Sequence, residues 1–217
     1  MIKKIEITQE QSIKLYGKSD REQGEAIEEI VKQILIDLGA DEVINYTNLQ
    51  EQVVLGDLKV IKNNKIINIE VKKSYTYRKE KKDCLGIDIL YFNYKNGKII
   101  PYEQETTKSS KGWLYITQAD WAFCLNIDSN KLYIIKQFQK LKQQIIKDIE
   151  EYKSKFQDWK KAWYCRRGDN INRYLRIGIK NDKTKETFNV FLELSKESLK
   201  FYKVKYVIID IDLVVKK

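Results

Sequence analysis

Asp57, Glu70 and Lys72 are the residues whose types and spacing could do chemistry together. They lie in the stretch from Val53 to Lys73, where two apolar-rich runs flank the pair Asn63-Asn64. Asparagine tolerates positive φ better than most residues, so the pair suits a tight two-residue hairpin turn. In the second run Ile67, Ile69 and Val71 alternate with Asn68, Glu70 and Lys72, which is the period of a strand. Glu70 and Lys72 therefore share one face. Asp57 is expected on the preceding strand, which pairs with this one. Two carboxylates and an ammonium converging at a sheet make a Mg²⁺ site with a lysine beside an attacking water.

An acidic residue two before a lysine is cheap in so charged a chain. The triplet occurs five times, starting at Asp57, Glu70, Glu80, Glu151 and Asp158. The last two fall in a helical pattern, where i and i+2 do not share a face. Only Glu70–Lys72 combines an alternating strand with an Asp on a hairpin partner. A further carboxylate comes from the helix expected over Asp20 to Leu38. Ile27, Ile30, Val31, Ile34, Leu35 and Leu38 form its apolar stripe, and Gly39 ends it. At ~100° per residue Glu25 and Glu29 point to water, while Glu28 falls on the edge of the stripe, one turn after Gly24. A glutamate there reaches inward to a site on the sheet. An ordinary boundary glutamate is the plainer reading.

The formal net charge of +10 favours an anionic partner, nucleic acid before membrane surface. A lysine-rich surface from a compositionally biased genome is the bland alternative. The charge is clustered, however: from Lys59 to Lys82 nine Lys or Arg stand against two Glu. The stretch Ser74 to Asp83, with Tyr75, Tyr77, Arg78, Lys79, Lys81 and Lys82, is expected to be a basic loop able to contact backbone phosphates. Arg166 and Arg167, in a turn with Gly168, form a second such patch. There is no histidine, which excludes His-based triads, His-ligated zinc and a His general base. Cys84, Cys124 and Cys165 are widely spaced and read as reduced thiols. No run approaches membrane-spanning length and the start has no signal-like apolar segment, so a soluble, cytoplasmic protein is expected.

With 217 residues and a hydrophobic fraction of 42%, one domain is expected. Its core would cover about residues 20–136, and a C-terminal helix and strands about 137–217. A small strand and short helix precede Asp20. Strands are expected at Val43 to Tyr46, Ile87 to Tyr94, Ile99 to Glu103, Trp113 to Thr117, Trp121 to Ile127 and Leu132 to Ile135. The turn Asn96-Gly97 joins the second and third of these, and Pro101 suggests an edge. A polar loop spans Thr106 to Gly112. Phe138, Leu141, Ile145, Ile149, Tyr152, Phe156, Trp159 and Trp163 recur at spacings of three and four, a single long helix. Core packing is its plain role and dimerisation its sharper one. Strands at Phe188 to Leu192 and Val204 to Val215 flank a short helix near Lys196 to Phe201.

The order Glu28, Asp57, Glu70-Val71-Lys72 resembles the PD-(D/E)XK, or restriction-endonuclease-like, nuclease superfamily. There an Asp on one strand precedes acidic-x-Lys on the next, after a helix that often carries a Glu. The Gly24-x-x-x-Glu28 helix followed by the hairpin looks most like its Holliday-junction-resolvase and phage nuclease branch. The match spans roughly residues 20 to 75. Gly56 stands where the family name has Pro. The resemblance implies an α/β fold with a mixed central sheet flanked by helices and a Mg²⁺-dependent DNA endonuclease, in which Mn²⁺ substitutes. It implies Asp57, Glu70 and the Val71 carbonyl as metal ligands. Lys72 would orient water or stabilise the transition state, and Glu28 would bind a second metal through water or orient Lys72. Lys73, Arg78 and Lys79 would hold the phosphate backbone. A resolvase or palindrome-cutting enzyme would be a homodimer. The rival readings are a non-catalytic nucleic-acid-binding protein on the same fold and an oligomerising interaction module of a mobile element.

Overall fold

A computed structural model describes residues 2–17, 19–77, 80–95, 98–101, 112–182 and 185–216. The Asn96-Gly97 turn, residues 106–111 of the polar loop, and Arg78 and Lys79 lie outside them. The chain begins with β1 (Ile2–Ile7) and α1 (Gln9–Leu15), which opens on a capping box between Thr8 and Gln11. Helix α2 (Asp20–Asp37) is capped by Ser19, whose side chain accepts from the Glu22 N–H. Its stripe from Ala26 to Leu35 is buried, and Gly39 follows at φ 79°. Next come β2 (Glu42–Asn45), α3 (Leu49–Leu55), β3 (Leu58–Lys62) and β4 (Lys65–Tyr77). Asn63 and Asn64 turn β3 into β4 at φ 50° and 59°, both left-handed as a type I′ turn requires. Val53 to Leu55, expected to extend the first strand, belong instead to α3, which Asn48 caps.

The expected basic loop after Ser74 is largely strand. β4 runs on to Tyr77 and pairs with β5 (Lys82–Lys95). Ser74 is buried while Tyr75 and Tyr77 are exposed, a period-2 pattern that the surrounding lysines obscure in the sequence. β6 (Lys98–Pro101) pairs with β5 at an edge, with Pro101 its last residue. Trp113 to Thr117 is not a strand. It forms a one-turn helix, α4 (Trp113–Ile116), because Leu114 enters the core and Trp113 stacks on Phe138 at 5.9 Å, and this packing overrides strand propensity.

β7 (Trp121–Asn126) and β8 (Lys131–Ile135) lead to α5 (Phe138–Lys153). The single long helix is in fact two. The Ser154 hydroxyl donates to the Glu151 carbonyl, and the Asp158 carboxylate accepts from the Lys161 N–H to start α6 (Trp159–Cys165). Local side-chain-to-backbone bonds thus compete with the helix there. The chain ends with β9 (Asn170–Asn172), β10 (Leu175–Asp182), β11 (Lys185–Glu193), α7 (Lys196–Phe201) and β12 (Tyr206–Val215). The sequence reading assigned no strand at β9 or β10.

The strands form a large mixed sheet flanked by helices. One part runs β1-β12-β8-β7-β4-β3-β2, with β1–β12 and β4–β7 parallel. The other runs β4-β5-β11-β10-β9 and is antiparallel throughout. Strand β4 belongs to both. Strand β7 is buried on both faces: Phe123 and Leu125 join α2 in one core, while Ala122 and Cys124 join α5 in the other. The second core also takes the inner face of the β5-β11-β10 part, so the stripe of α5 and α6 is covered within the monomer.

Candidate active site

The sequence of β4 dictates which side chains meet. Ile69 and Val71 enter the core under α2, so Glu70 and Lys72 must face the opposite way. The Lys72 Nζ lies 2.5 Å from Glu70 Oε1 and 3.5 Å from Asp57 Oδ2. The hairpin therefore brings the three predicted residues together. Asp57 sits one residue before β3, where its N–H bonds the Ile69 carbonyl. Pairing of β3 with β4 ends there, and beyond it the Val71 N–H donates to Asp57 Oδ2 at 2.7 Å. In an extended strand the carbonyl of a residue projects to the same side as its N–H. The Val71 carbonyl thus faces the Asp57 side of an open strand edge.

The backbone at Gly56 requires glycine. Its φ is 103°, which proline cannot adopt, and a Cβ there would lie 2.6 Å from the Ile69 carbonyl oxygen. Only a glycine lets the chain leave α3 and pass this close to β4 to deliver Asp57.

Two residues escaped the sequence reading. Thr117, fully buried, donates its hydroxyl to Glu70 Oε2 at 2.9 Å and accepts from the Ala119 N–H at 3.3 Å. Its carbonyl is strapped to α5 by Lys142 Nζ and Gln139 Nε2. Trp113 places its ring 5.4 Å from Lys72 Nζ. Each stands more than 40 positions from the residue it touches, and no local pattern announces them.

The electrostatics follow from burial. Glu70 is only 4% exposed. Burial lifts its carboxyl above the ordinary value, with the Asp57 charge adding to the lift and Lys72 opposing it. Burial pulls the Lys72 ammonium down, but Glu70 and Asp57 outweigh that and hold it above its ordinary value. Glu28, half-buried on α2, is pushed up to about 7, first by burial and then by the Asp57 charge. It feels this cluster but makes no hydrogen bond or ion pair with it among the described residues.

Oxygens available to a cation are those of Asp57, Glu70 and the Val71 carbonyl. Among the described residues no three acidic or thiol side chains converge as a metal cluster. A cation here would keep several waters, which is how Mg²⁺ is commonly bound. Asp57 Oδ1 accepts no hydrogen bond among the described residues, which leaves it open to a ligand.

Of the predicted phosphate contacts, Lys73 faces α2, where its Nζ donates to Gln23 Oε1 at 2.5 Å and lies 5.0 Å from the Tyr75 ring centre. Arg166 and Arg167 sit exposed on the turn after α6. Arg166 pairs with Asp169 at 3.5 Å, and neither arginine contacts the Asp57–Glu70–Lys72 cluster among the described residues. No described helix is long and apolar enough to cross a membrane.

No family model matches the chain, and no curated protein matches it significantly. Among solved structures the bacterial homing endonuclease I-Ssp6803I aligns with 56% of this chain and 73% of its own, at 12% identity and a TM-score of 0.39. So shallow a likeness carries no argument about fold or activity.

Proposed function

We propose that this chain is a metal-dependent DNA endonuclease of the PD-(D/E)XK type. One observation carries the reading: the Lys72 ammonium held between Glu70 and Asp57, beside the free edge of β4. Asp57, Glu70 and the Val71 carbonyl would hold Mg²⁺ or Mn²⁺, which would supply Lewis acidity at the scissile phosphate and lower the pKa of a bound water. The Val71 N–H fixes the Asp57 carboxylate in place. Thr117 orients Glu70. Lys72 orients the attacking water and offsets negative charge growing on the phosphate. Glu28, on the α2 side, accepts a water-mediated contact to the site or steers Lys72. Lys73, Arg78 and Lys79 follow as phosphate contacts that make affinity salt-dependent. Residues 1–217 act as one domain in this reading.

The test is incubation of supercoiled plasmid, linear duplex, single strand and a four-way junction with Mg²⁺, Mn²⁺ or EDTA, with Glu70→Gln alongside. Cutting by wild type that needs the metal and vanishes in the variant is expected. Mg²⁺ should also raise the melting temperature of wild type but not of Asp57→Asn. Cutting by Glu70→Gln at the wild-type rate would sink the site. DNA retention without cutting by any form would leave a non-catalytic binding protein. Sedimentation of the active form separates a two-fold resolvase-like dimer from a monomeric nuclease.

A further inference from the structure

A second feature of β4 lies past the candidate catalytic residues. Tyr75 and Tyr77 share a face two residues apart and are 43% and 45% exposed. They border a cleft of about 390 Å³ on the outer face of the β4-β5-β11-β10 sheet, whose lining includes Phe191, Tyr174, Arg173 and Arg176. That volume is at the small end for ligand pockets, suited to one or two flat rings.

The floor of the cleft is built for a flat surface. Phe191 of β11 lies between Gly86 of β5 and Gly178 of β10. A Cβ on Gly178 would fall 2.2 Å from the ring's Cε2, and one on Gly86 would fall 3.5 Å from Cε1. The ring therefore extends over both neighbouring strands, along the sheet instead of upright from it. A side chain at position 178 would push it off. The planar cations at the rim are also held. Arg176 lies 5.3 Å from the Tyr77 ring centre, bonds Glu80 at 2.8 Å and contacts Asn170 at 3.4 Å. Arg173 lies 5.5 Å from the Tyr174 ring centre. Lys82 pairs with Glu193 at 2.9 Å, so both rim carboxylates are neutralised within the protein. Arg173 has no carboxylate partner among the described residues.

We propose that this face is a stacking platform for unpaired bases of a nucleic-acid strand. Aromatic and guanidinium planes on an exposed sheet are what unstacked bases seek, whatever their sequence. Charge complementarity supports a strand: the chain carries +10, and Arg173 and Lys73 flank the rings. Continuity along the strand also supplies a cation: Lys73, two residues before Tyr75, lies on the same face of β4, with its Nζ 5.0 Å from the Tyr75 ring centre. The Cys84 thiol in the cleft is pushed up to about 11 by burial, so it stays neutral and offers a weak polar edge, not a nucleophile. The inference extends the nuclease reading without depending on it.

The test is fluorescence anisotropy in EDTA with labelled ten-nucleotide single strands of DNA and of RNA. A matched duplex, an abasic strand with the same phosphates and a free 5′-mononucleotide are run beside them. Wild type should bind the base-bearing single strands more tightly than the abasic strand or the duplex. Tyr77→Ala and Phe191→Ala should each weaken base-bearing strands by about 5- to 150-fold, the range for one lost stack. They should leave the abasic strand and the salt slope unchanged, and Tyr77→Phe should keep wild-type affinity. Unchanged affinity in both alanine variants overturns the proposal, as does equal loss for base-bearing and abasic strands. A mononucleotide that binds as tightly as the ten-mer assigns the cleft to a soluble nucleotide and overturns the strand. Binding read in EDTA separates the two readings, because it is measured where no metal-dependent cutting occurs. Tyr77-dependent binding by a wild type that never cuts leaves the platform standing and the nuclease fallen.

Discussion

Glu28 feels the charge of the candidate site and Thr117 orients its Glu70, and both lead to checkable statements about single residues. Glu28 has a folded value of about 7 against an ordinary 4.5. The folded state therefore binds the extra proton between those values, and stability falls as pH rises through that window. Glu28→Gln removes the penalty. In EDTA it should match wild type below about pH 4.5 and be more stable by about 1–2 kcal/mol above pH 7, after discounting for partial exposure. Urea unfolding at pH 4 and pH 8 checks this, and an equal difference at both pH values refutes it. Thr117→Val leaves the buried Glu70 Oε2 without its donor. A cost of about 1–3 kcal/mol is expected, with a drop in cleavage larger than in substrate binding. A variant that loses binding and cleavage equally would show that Thr117 does not position Glu70.

At the scale of elements, the site depends on a close approach between the end of α3 and β4. Gly56→Ala would force a Cβ to within 2.6 Å of the Ile69 carbonyl while holding a left-handed φ. Strained backbone of this kind costs about 1–3 kcal/mol before any clash is counted. The chain should relieve it by moving Asp57 away from Val71. Cleavage should fall by more than tenfold, while melting temperature falls only a few degrees. Wild-type cleavage would mean that the approach is not needed. The hairpin itself was legible because it is local. Two asparagines and a period-2 pattern specify turn, register and face, so Glu70 and Lys72 could be paired with Asp57 from sequence alone. The extension of β4 through Tyr77, the helical turn at Trp113 and the break after Lys153 were not. In each the local pattern argued for something else, and packing or a competing side-chain bond decided.

At the scale of the whole molecule, α5 lies between the two parts of the sheet, and its stripe draws both into one core. Ile145 is fully buried there. Ile145→Ala should cost about 2–5 kcal/mol, and both parts should unfold in one transition, seen alike by tryptophan fluorescence and far-ultraviolet dichroism. Two separate transitions would divide the chain into independent units. The same architecture places the outer face of β5, β11 and β10 beside the continuation of β4, so one strand carries both the charged cluster and the aromatic platform. By itself the sequence determined the elements whose signal is periodic and local: α2, the β3–β4 hairpin, β7, β8 and the face on which Glu70 and Lys72 sit. The tertiary structure alone decided that Thr117 and Trp113 complete the site, that Lys73 turns to Gln23, and that Tyr75, Tyr77 and Phe191 share one surface. Those partners lie tens of residues apart, and no local propensity carries information about contacts that exist only once the sheet has formed.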